Sequence, residues 1–165
     1  MEINLRQLEK KDASLMLEWM HDKDVTQYLK LDGDNATMES VLAFIENAST
    51  NKEQNLHYAI TNEANTYLGT ISLKNIDKGK KEAELAIVLH RNSMGKGVAT
   101  SAIQKLLGIA SQELKLNKVY LNVLQENKRA VKLYEKLGFK CTRTTEIEFH
   151  GQMKMLDWYE YKNRG

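Results

Sequence analysis

The stretch Met94-Gly95-Lys96-Gly97-Val98-Ala99-Thr100 is a run of mostly small residues that leads directly into an amphipathic pattern. The residues before it, 83–90, read Ala-Glu-Leu-Ala-Ile-Val-Leu-His and are typical of a β-strand. A strand, a glycine-containing turn and a helix N-terminus can together bind phosphate, because glycine allows close backbone approach and unpaired helix N–H groups attract an anion. The stretch therefore indicates a phosphate-bearing cofactor, with a plain connecting turn as the alternative.

Two common phosphate-binding loops do not fit this stretch. A P-loop requires glycine five positions before Gly95 and serine or threonine after Lys96, but the sequence has His90 and Gly97 there. A dinucleotide-binding turn requires glycine or alanine at position 100, which is Thr100, and an acidic residue near the end of the next strand. That strand, predicted at 118–124, ends without one.

A second motif follows at 126–139, Glu-Asn-Lys-Arg-Ala-Val-Lys-Leu-Tyr-Glu-Lys-Leu-Gly-Phe. Asn127 is a good helix N-cap, Gly138 is a typical helix-ending residue, and Phe139 begins another predicted strand. The helical spacing places four residues on one face: Ala130, Val131, Tyr134 and Leu137. Taken alone, this motif predicts an ordinary short helix with a buried tyrosine.

Together, the loop at 94–100 and the motif at 126–139 resemble the GNAT superfamily of acetyl-CoA-dependent N-acetyltransferases. The stretches 5–13, 17–25 and 148–157 are similar to its ribosomal-protein alanine, spermidine and amino-sugar acetyltransferases. The resemblance implies a single α+β domain over residues 1–165. Its central twisted, mostly antiparallel sheet of about seven strands would have helices on both faces. Two splayed parallel strands, 83–90 and 119–124, would bind CoA.

The resemblance also implies where the cofactor lies. Backbone groups of Ile87, Val88 and Leu89 would pair with the pantetheine arm, and the Leu89 N–H would stabilise the carbonyl oxygen of the thioester. The pyrophosphate would lie on the loop, whose residues are Met94, Gly95, Lys96, Gly97, Val98, Ala99 and Thr100. Asn127 and Tyr134 would complete the cofactor site. The family has glutamine or arginine where this chain has Met94, and Lys96 would compensate as a point charge.

Acetyl transfer to an amine needs a proton donor for the departing thiolate and a means of deprotonating the amine. The resemblance implies Tyr134 as the acid, since a phenol keeps its proton at neutral pH. Glu84 is the candidate base, with His90 behind it, because Asn122 occupies the position of a glutamate base in some relatives and an asparagine cannot accept the proton. A solvated surface charge is the alternative for Glu84.

The acceptor amine is expected to contact Trp19, Tyr28, Glu84 and Asn122. Such a mixture of aromatic and carboxylate side chains suits a small, polyamine-like amine or an amino sugar. A protein N-terminal acetyltransferase is the alternative enzyme. A non-catalytic acetyl-CoA-binding module and an ATP-binding module are the alternatives from other classes of protein.

The composition of the chain argues against several classes of binding partner. The net charge of +2 is spread over segments of mixed sign, so no nucleic-acid partner is expected. Neither a long apolar run nor a signal-peptide pattern is present, which predicts a cytoplasmic protein without a membrane partner. The four histidines lack metal-ligand spacing, so no metal is expected. Cys141, the one cysteine, is predicted to be a small core residue, and a homodimer is compatible with the family.

Overall fold

The computed structural model describes residues 2–163. Within them a seven-stranded mixed sheet has the spatial order β1-β2-β3-β4-β5-β7-β6. All neighbouring strands are antiparallel except β4 and β5, which run parallel. The strands are β1 (Asn4–Gln7), β2 (Leu56–Thr61), β3 (Tyr67–Asp77), β4 (Glu82–Leu89), β5 (Lys118–Leu124), β6 (Lys140–Phe149) and β7 (Gln152–Lys162).

Helices cover both faces of the sheet, and each face has its own hydrophobic core. The helices are α1 (Ala13–Met20), α2 (Lys23–Thr26), α3 (Met38–Thr50), α4 (Val98–Gly108) and α5 (Lys128–Lys136). Buried residues of α4 and α5 pack with Leu85, Val119 and Leu121 in one core. Buried residues of α1, α2 and α3 pack with Ala59 and Tyr67 in the other. This arrangement confirms the expected α+β fold.

The sequence places most elements correctly, and the differences lie at helix ends. The apolar stripe after the loop predicts a single helix over 98–114. That segment is α-helical only to Gly108 and continues as a π-helical turn over Ile109–Glu113. The sequence predicts a helix over 23–29, but α2 ends at Thr26, and Leu29 beyond it packs partly buried against the core without being helical. Among residues 2–163, no helix is both long and apolar enough to cross a membrane.

The prediction that Cys141 lies in the core is wrong. Its side chain is exposed on β6, which forms one edge of the sheet. Residues 140–144 of this strand all face solvent, since α4 and α5 cover the sheet's centre and leave this end of β6 uncovered. Sequence alternation identified the strand but could not show that it is an edge strand.

Gly69 on β3 determines how closely the end of β4 can approach. A methyl group at Gly69 would lie 2.4 Å from the carbonyl oxygen of Val88 and 2.9 Å from the Cα of Leu89. Both contacts are with backbone atoms, so a rotamer change cannot relieve them. Only glycine therefore allows β3 and β4 to pair as they do at this position.

We expect Gly69→Ala to destabilise the protein by about 1–3 kcal/mol, the usual cost of overpacking a tightly packed site. The midpoint of urea unfolding should fall, because β4 must move away from β3 at Val88 and Leu89. Gly108→Ala is the matched control, since an added methyl there meets nothing within 4 Å. Equal midpoints for Gly69→Ala and the parent chain would contradict this account of β4.

Candidate active site

The two parallel strands separate after a short paired region. Glu82, Ala83 and Glu84 of β4 pair with residues 118–120 of β5, and the pairing ends there. Beyond it, β4 continues along β3 to Leu89, whereas β5 continues along β7 to Leu124. The backbone edges of 85–89 and 121–124 thus face each other across a wedge-shaped opening that can accept an extended ligand.

The hydrogen-bonding pattern of β4 shows which of its N–H groups face the opening. The backbone N–H of His90 donates to the carbonyl of Leu68, at 2.8 Å, and so points toward β3. Successive N–H groups of a strand point to opposite edges. The N–H groups of Leu89 and Ile87 therefore point into the opening, as required of groups that bind a carbonyl oxygen or an amide there.

The loop at 94–97 presents backbone N–H groups at the start of α4. Gly95 and Gly97 have φ values of +76° and +78°, a left-handed conformation that glycine adopts without strain. Gly97 is the N-cap of α4, and no side chain of the described chain caps this helix. Its first N–H groups are thus available to an anion, and the positive end of the helix dipole favours one.

His90 supports this loop and is unsuited to act as the base. Its Nδ1 accepts a hydrogen bond from the N–H of Asn92, at 3.2 Å, so the proton of the neutral ring is on Nε2. Nε2 lies 3.0 Å from a carboxylate oxygen of Glu18 and donates to it. Both ring nitrogens are therefore engaged, and His90 joins the turn at 91–93 to α1.

Arg91 forms a second connection between the loop region and the other face of the sheet. Its guanidinium donates from Nε and Nη2 to the two carboxylate oxygens of Asp22, at 2.6 and 2.5 Å, and from Nη2 to Asp24 at 2.7 Å. The Arg91 contact lowers the pKa of the Asp22 carboxyl. Sequence reasoning missed this cluster, because 69 residues separate Arg91 from Asp22 and no local pattern links them.

Tyr134 is buried on α5 with its phenol unpaired. Its side chain is 9% exposed and lies edge-on to Phe139, with 5.9 Å between the ring centroids. Within residues 2–163 its hydroxyl forms no hydrogen bond, and desolvation by burial raises its pKa to about 12. Asn127 caps α5 through its side-chain oxygen, which accepts from the N–H of Ala130 at 3.4 Å. The phenol is therefore protonated at neutral pH and available to a ligand.

Glu84 lies at the point where β4 and β5 separate. Its carboxylate accepts a hydrogen bond from the side-chain amide of Asn75, at 3.1 Å, and lies 3.9 Å from the Nζ of Lys74. The carboxylate also lines a cleft of about 370 Å³ on the sheet face that carries α1–α3. The cleft residues are Glu82, Glu84, Lys118, Tyr120, Thr142, Arg143, Trp158, Tyr159 and Glu160.

The remaining acceptor residues differ in accessibility. Trp19 is buried, at 6% exposure, and its indole N–H donates to the hydroxyl of Tyr67 at 3.0 Å, so core packing accounts for its contacts. Tyr28 is exposed, and Asn122 is exposed on β5 opposite Trp158 of β7. No group of three or more His, Cys, Asp or Glu side chains in the described part of the chain could hold a metal ion.

The fold and this site define an acetyltransferase, and comparison with known proteins identifies its family. Residues 2–140 match the family model described as acetyltransferase (GNAT) domain, so the chain belongs to the GNAT acetyltransferases. It is 30% identical over 161 residues to an uncharacterized N-acetyltransferase p20 of Bacillus licheniformis, covering 96% of this chain and 90% of that one.

Two further matches are spermidine acetyltransferases of Vibrio cholerae. The chain is 26% identical over 138 residues to a spermidine N(1)-acetyltransferase of that organism, covering 84% of this chain and 79% of the relative. The crystal structure of a spermidine N-acetyltransferase from Vibrio cholerae in complex with CoA and spermine has the same fold. It has a TM-score of 0.88 and 23% identity, and the match covers 97% and 95% of the two chains.

Proposed function

We propose that this enzyme transfers the acetyl group of acetyl-CoA to a primary amine of a small, polyamine-like acceptor, by direct attack of the amine in a ternary complex. The observation that carries the proposal is the opening between β4 and β5, which has inward-pointing N–H groups on one edge. These groups, the glycine loop and the phenol of Tyr134 fit the pantetheine arm, the pyrophosphate and the sulfur of CoA. The proposed cofactor residues are Ile87, Val88, Leu89, those of 94–100, Asn127 and Tyr134.

The N–H of Leu89 stabilises the negative charge that develops on the thioester oxygen as the amine attacks. Tyr134 then donates a hydrogen bond to the leaving thiolate. A thiol has a pKa of about 8.5, so complete proton transfer from a phenol of pKa about 12 is uphill by roughly 3.5 units, on the order of 5 kcal/mol. Tyr134 therefore acts first as a hydrogen-bond donor; as CoA leaves, the phenol gives its proton to the sulfur and regains one from solvent.

Glu84 is the proposed base. An alkyl amine with a pKa near 10.4 is almost entirely protonated at neutral pH, so one proton must leave before attack. The Glu84 carboxylate is at the end of the paired region, where the opening meets the cleft on the α1–α3 face. It would accept the proton directly or through a water molecule.

A polyamine-like acceptor is favoured by the charge of this cleft and by the relatives. Three carboxylates line the cleft, those of Glu82, Glu84 and Glu160, against two cations, Lys118 and Arg143. The Nζ of Lys118 lies 3.5 Å from a carboxylate oxygen of Glu82 and 3.6 Å from one of Glu160, and the guanidinium of Arg143 lies over the ring of Trp158. An ammonium group of the acceptor would therefore bind at Glu84 and Tyr120. Carboxylates and aromatic faces both attract ammonium groups. Two of the similar proteins are named for acting on spermidine or for a complex with spermine. Tyr28 and Asn122 remain proposed acceptor contacts, as do a homodimer and a cytoplasmic location.

We expect Tyr134→Phe to lower kcat about 10²- to 10⁴-fold while the Kd for CoA changes little, because the phenol acts on the leaving sulfur. Release of free thiol from acetyl-CoA measures the rate. Tyr58→Phe is the matched control, since Tyr58 is a half-buried tyrosine on β2 and should retain activity. Thiol release that is unaffected by Tyr134→Phe would contradict the assignment.

The pH dependence of acetyl transfer should reflect the pKa of the acceptor amine and not the pKa of Tyr134. We expect kcat/KM of Glu84→Gln for the acceptor to rise with pH toward the pKa of the amine, because only the neutral amine attacks and this variant has no carboxylate to take the ammonium proton. In the parent, where Glu84 takes that proton, the rise should be much smaller. The raised pKa of Tyr134, about 12, means that no falling limb due to this residue should occur below about pH 11. A falling limb near pH 10 that disappears in Tyr134→Phe would show that the phenol titrates normally.

The acceptor and the base can be tested together. We expect kcat/KM for spermidine to exceed that for butylamine about tenfold or more, since the second ammonium gains charge-assisted contacts. Glu84→Gln should lower kcat about 10²-fold with either amine, whereas Glu146→Gln, at an exposed site on β6, should change it less than twofold. Turnover confined to N-terminal peptides, or to glucosamine, would reject the polyamine-like acceptor.

A further inference from the structure

Arg129 is an exposed cation next to the glycine loop. It lies in the first turn of α5, and its Nη2 atom would be 3.2 Å from a methyl group built on Gly95. The guanidinium is thus directly beside the backbone of the loop, although 34 residues separate Arg129 from Gly95 in the sequence. The tertiary structure alone brings these two residues together.

No anion in the described chain accounts for the position of Arg129. Its guanidinium forms no ion pair or hydrogen bond with any residue of 2–163, unlike Arg6, Arg91 and Lys154. Arg91, at the other end of the same loop region, has two carboxylate partners, whereas Arg129 has none within the described residues.

The surroundings of Arg129 are unfavourable for a cation. Lys128 is its neighbour in the first turn of α5, and that turn contains no acidic residue. Cations are destabilising near a helix N-terminus, because they meet the positive end of the helix dipole. Lys96 and the uncapped N-terminus of α4 add further positive charge at the loop. An arginine held there without a partner is explained if an anion joins it when ligand binds.

We propose that Arg129 binds the pyrophosphate of CoA, and that it supplies from α5 the side-chain donor that the loop lacks at Met94. This assignment rests on the proposed use of acetyl-CoA. Met94 has no polar hydrogen, whereas a guanidinium offers several N–H donors to phosphate oxygens. The site thus binds the pyrophosphate between the N–H groups of 95–100 and the guanidinium of Arg129.

The test compares three ligands of this chain: CoA and 3′-dephospho-CoA, for which the Kd is measured, and S-acetylpantetheine, for which kcat/KM as acetyl donor is measured. We expect Arg129→Gln to raise the Kd for CoA about 5- to 20-fold. The Kd for 3′-dephospho-CoA should rise by the same factor, because both ligands contain the pyrophosphate. S-acetylpantetheine has no phosphate, so its kcat/KM as acetyl donor should be unchanged. Arg129→Lys should recover part of the affinity, since an ammonium retains the charge but not the planar donor geometry.

Lys132→Gln is the matched control, because Lys132 is an exposed cation one helical turn further along α5. It should bind all three ligands as the parent does. Arg129 is exposed and unpaired within the described residues, so Arg129→Gln should unfold at the same urea concentration as the parent or slightly above it, because it removes a cation from the positive end of the helix dipole.

Three results would overturn the assignment. One is a change in CoA affinity of less than twofold in Arg129→Gln. Another is a loss of affinity for CoA without any loss of affinity for 3′-dephospho-CoA, which would show that Arg129 contacts the 3′-phosphate instead. The third is an equal loss with S-acetylpantetheine, which would indicate a structural role. A parent chain that does not bind CoA would instead reject the proposed function together with this contact.

Discussion

Backbone N–H and C=O groups need hydrogen-bond partners. Between β4 and β5, the facing groups have no partner strand beyond Glu84 and Tyr120, where the pairing ends. β4 and β5 pair over only three residues each and then diverge, because β4 follows β3 while β5 follows β7. The close approach at Gly69 keeps the end of β4 against β3 and so contributes to the divergence. The central opening is therefore a consequence of how the outer strands pair, and an extended ligand can complete the hydrogen bonding there.

The groups proposed for acetyl transfer lie on both faces of the sheet. The face that carries α4 and α5 provides the glycine loop and Tyr134. The other face provides Glu84 and a cleft that contains carboxylates and aromatic rings. Acetyl transfer requires the amine to reach a carbonyl carbon that is already bonded to the sulfur of CoA, so that the C–N bond forms and the C–S bond breaks at one carbon. A gap through the sheet meets this requirement, because each reactant can use its own face.

Two contacts join the faces at the carboxyl end of β4. Glu18 of α1 accepts from His90, and Asp22 and Asp24 bind Arg91. His90 and Arg91 precede the glycine loop by only a few positions, so this turn is bound to α1 and α2 and leads directly into α4. Exposed ion pairs contribute little to stability. Their placement here indicates that they orient the turn.

Local sequence determined the parts of this protein whose physics is local. Gly95 and Gly97 specify a left-handed turn before a helix, Asn127 caps the next helix, and alternating residues mark the strands. These features predicted the strands, the glycine turn and the helix that follows it. The sequence also placed Tyr134 on the inner face of its helix, because helical periodicity shows which side is apolar.

Only the tertiary structure decided the features that depend on distant residues. Strand order made β6 an edge and exposed Cys141, and the fold buried Trp19 against Tyr67. Folding also placed Arg91 beside Asp22 and Arg129 beside Gly95, although no local pattern links either pair. The sequence by itself determined which segments form strands, helices and the glycine loop. Which side chains surround that loop was decided by the tertiary structure, because charge and packing act through space and not along the chain.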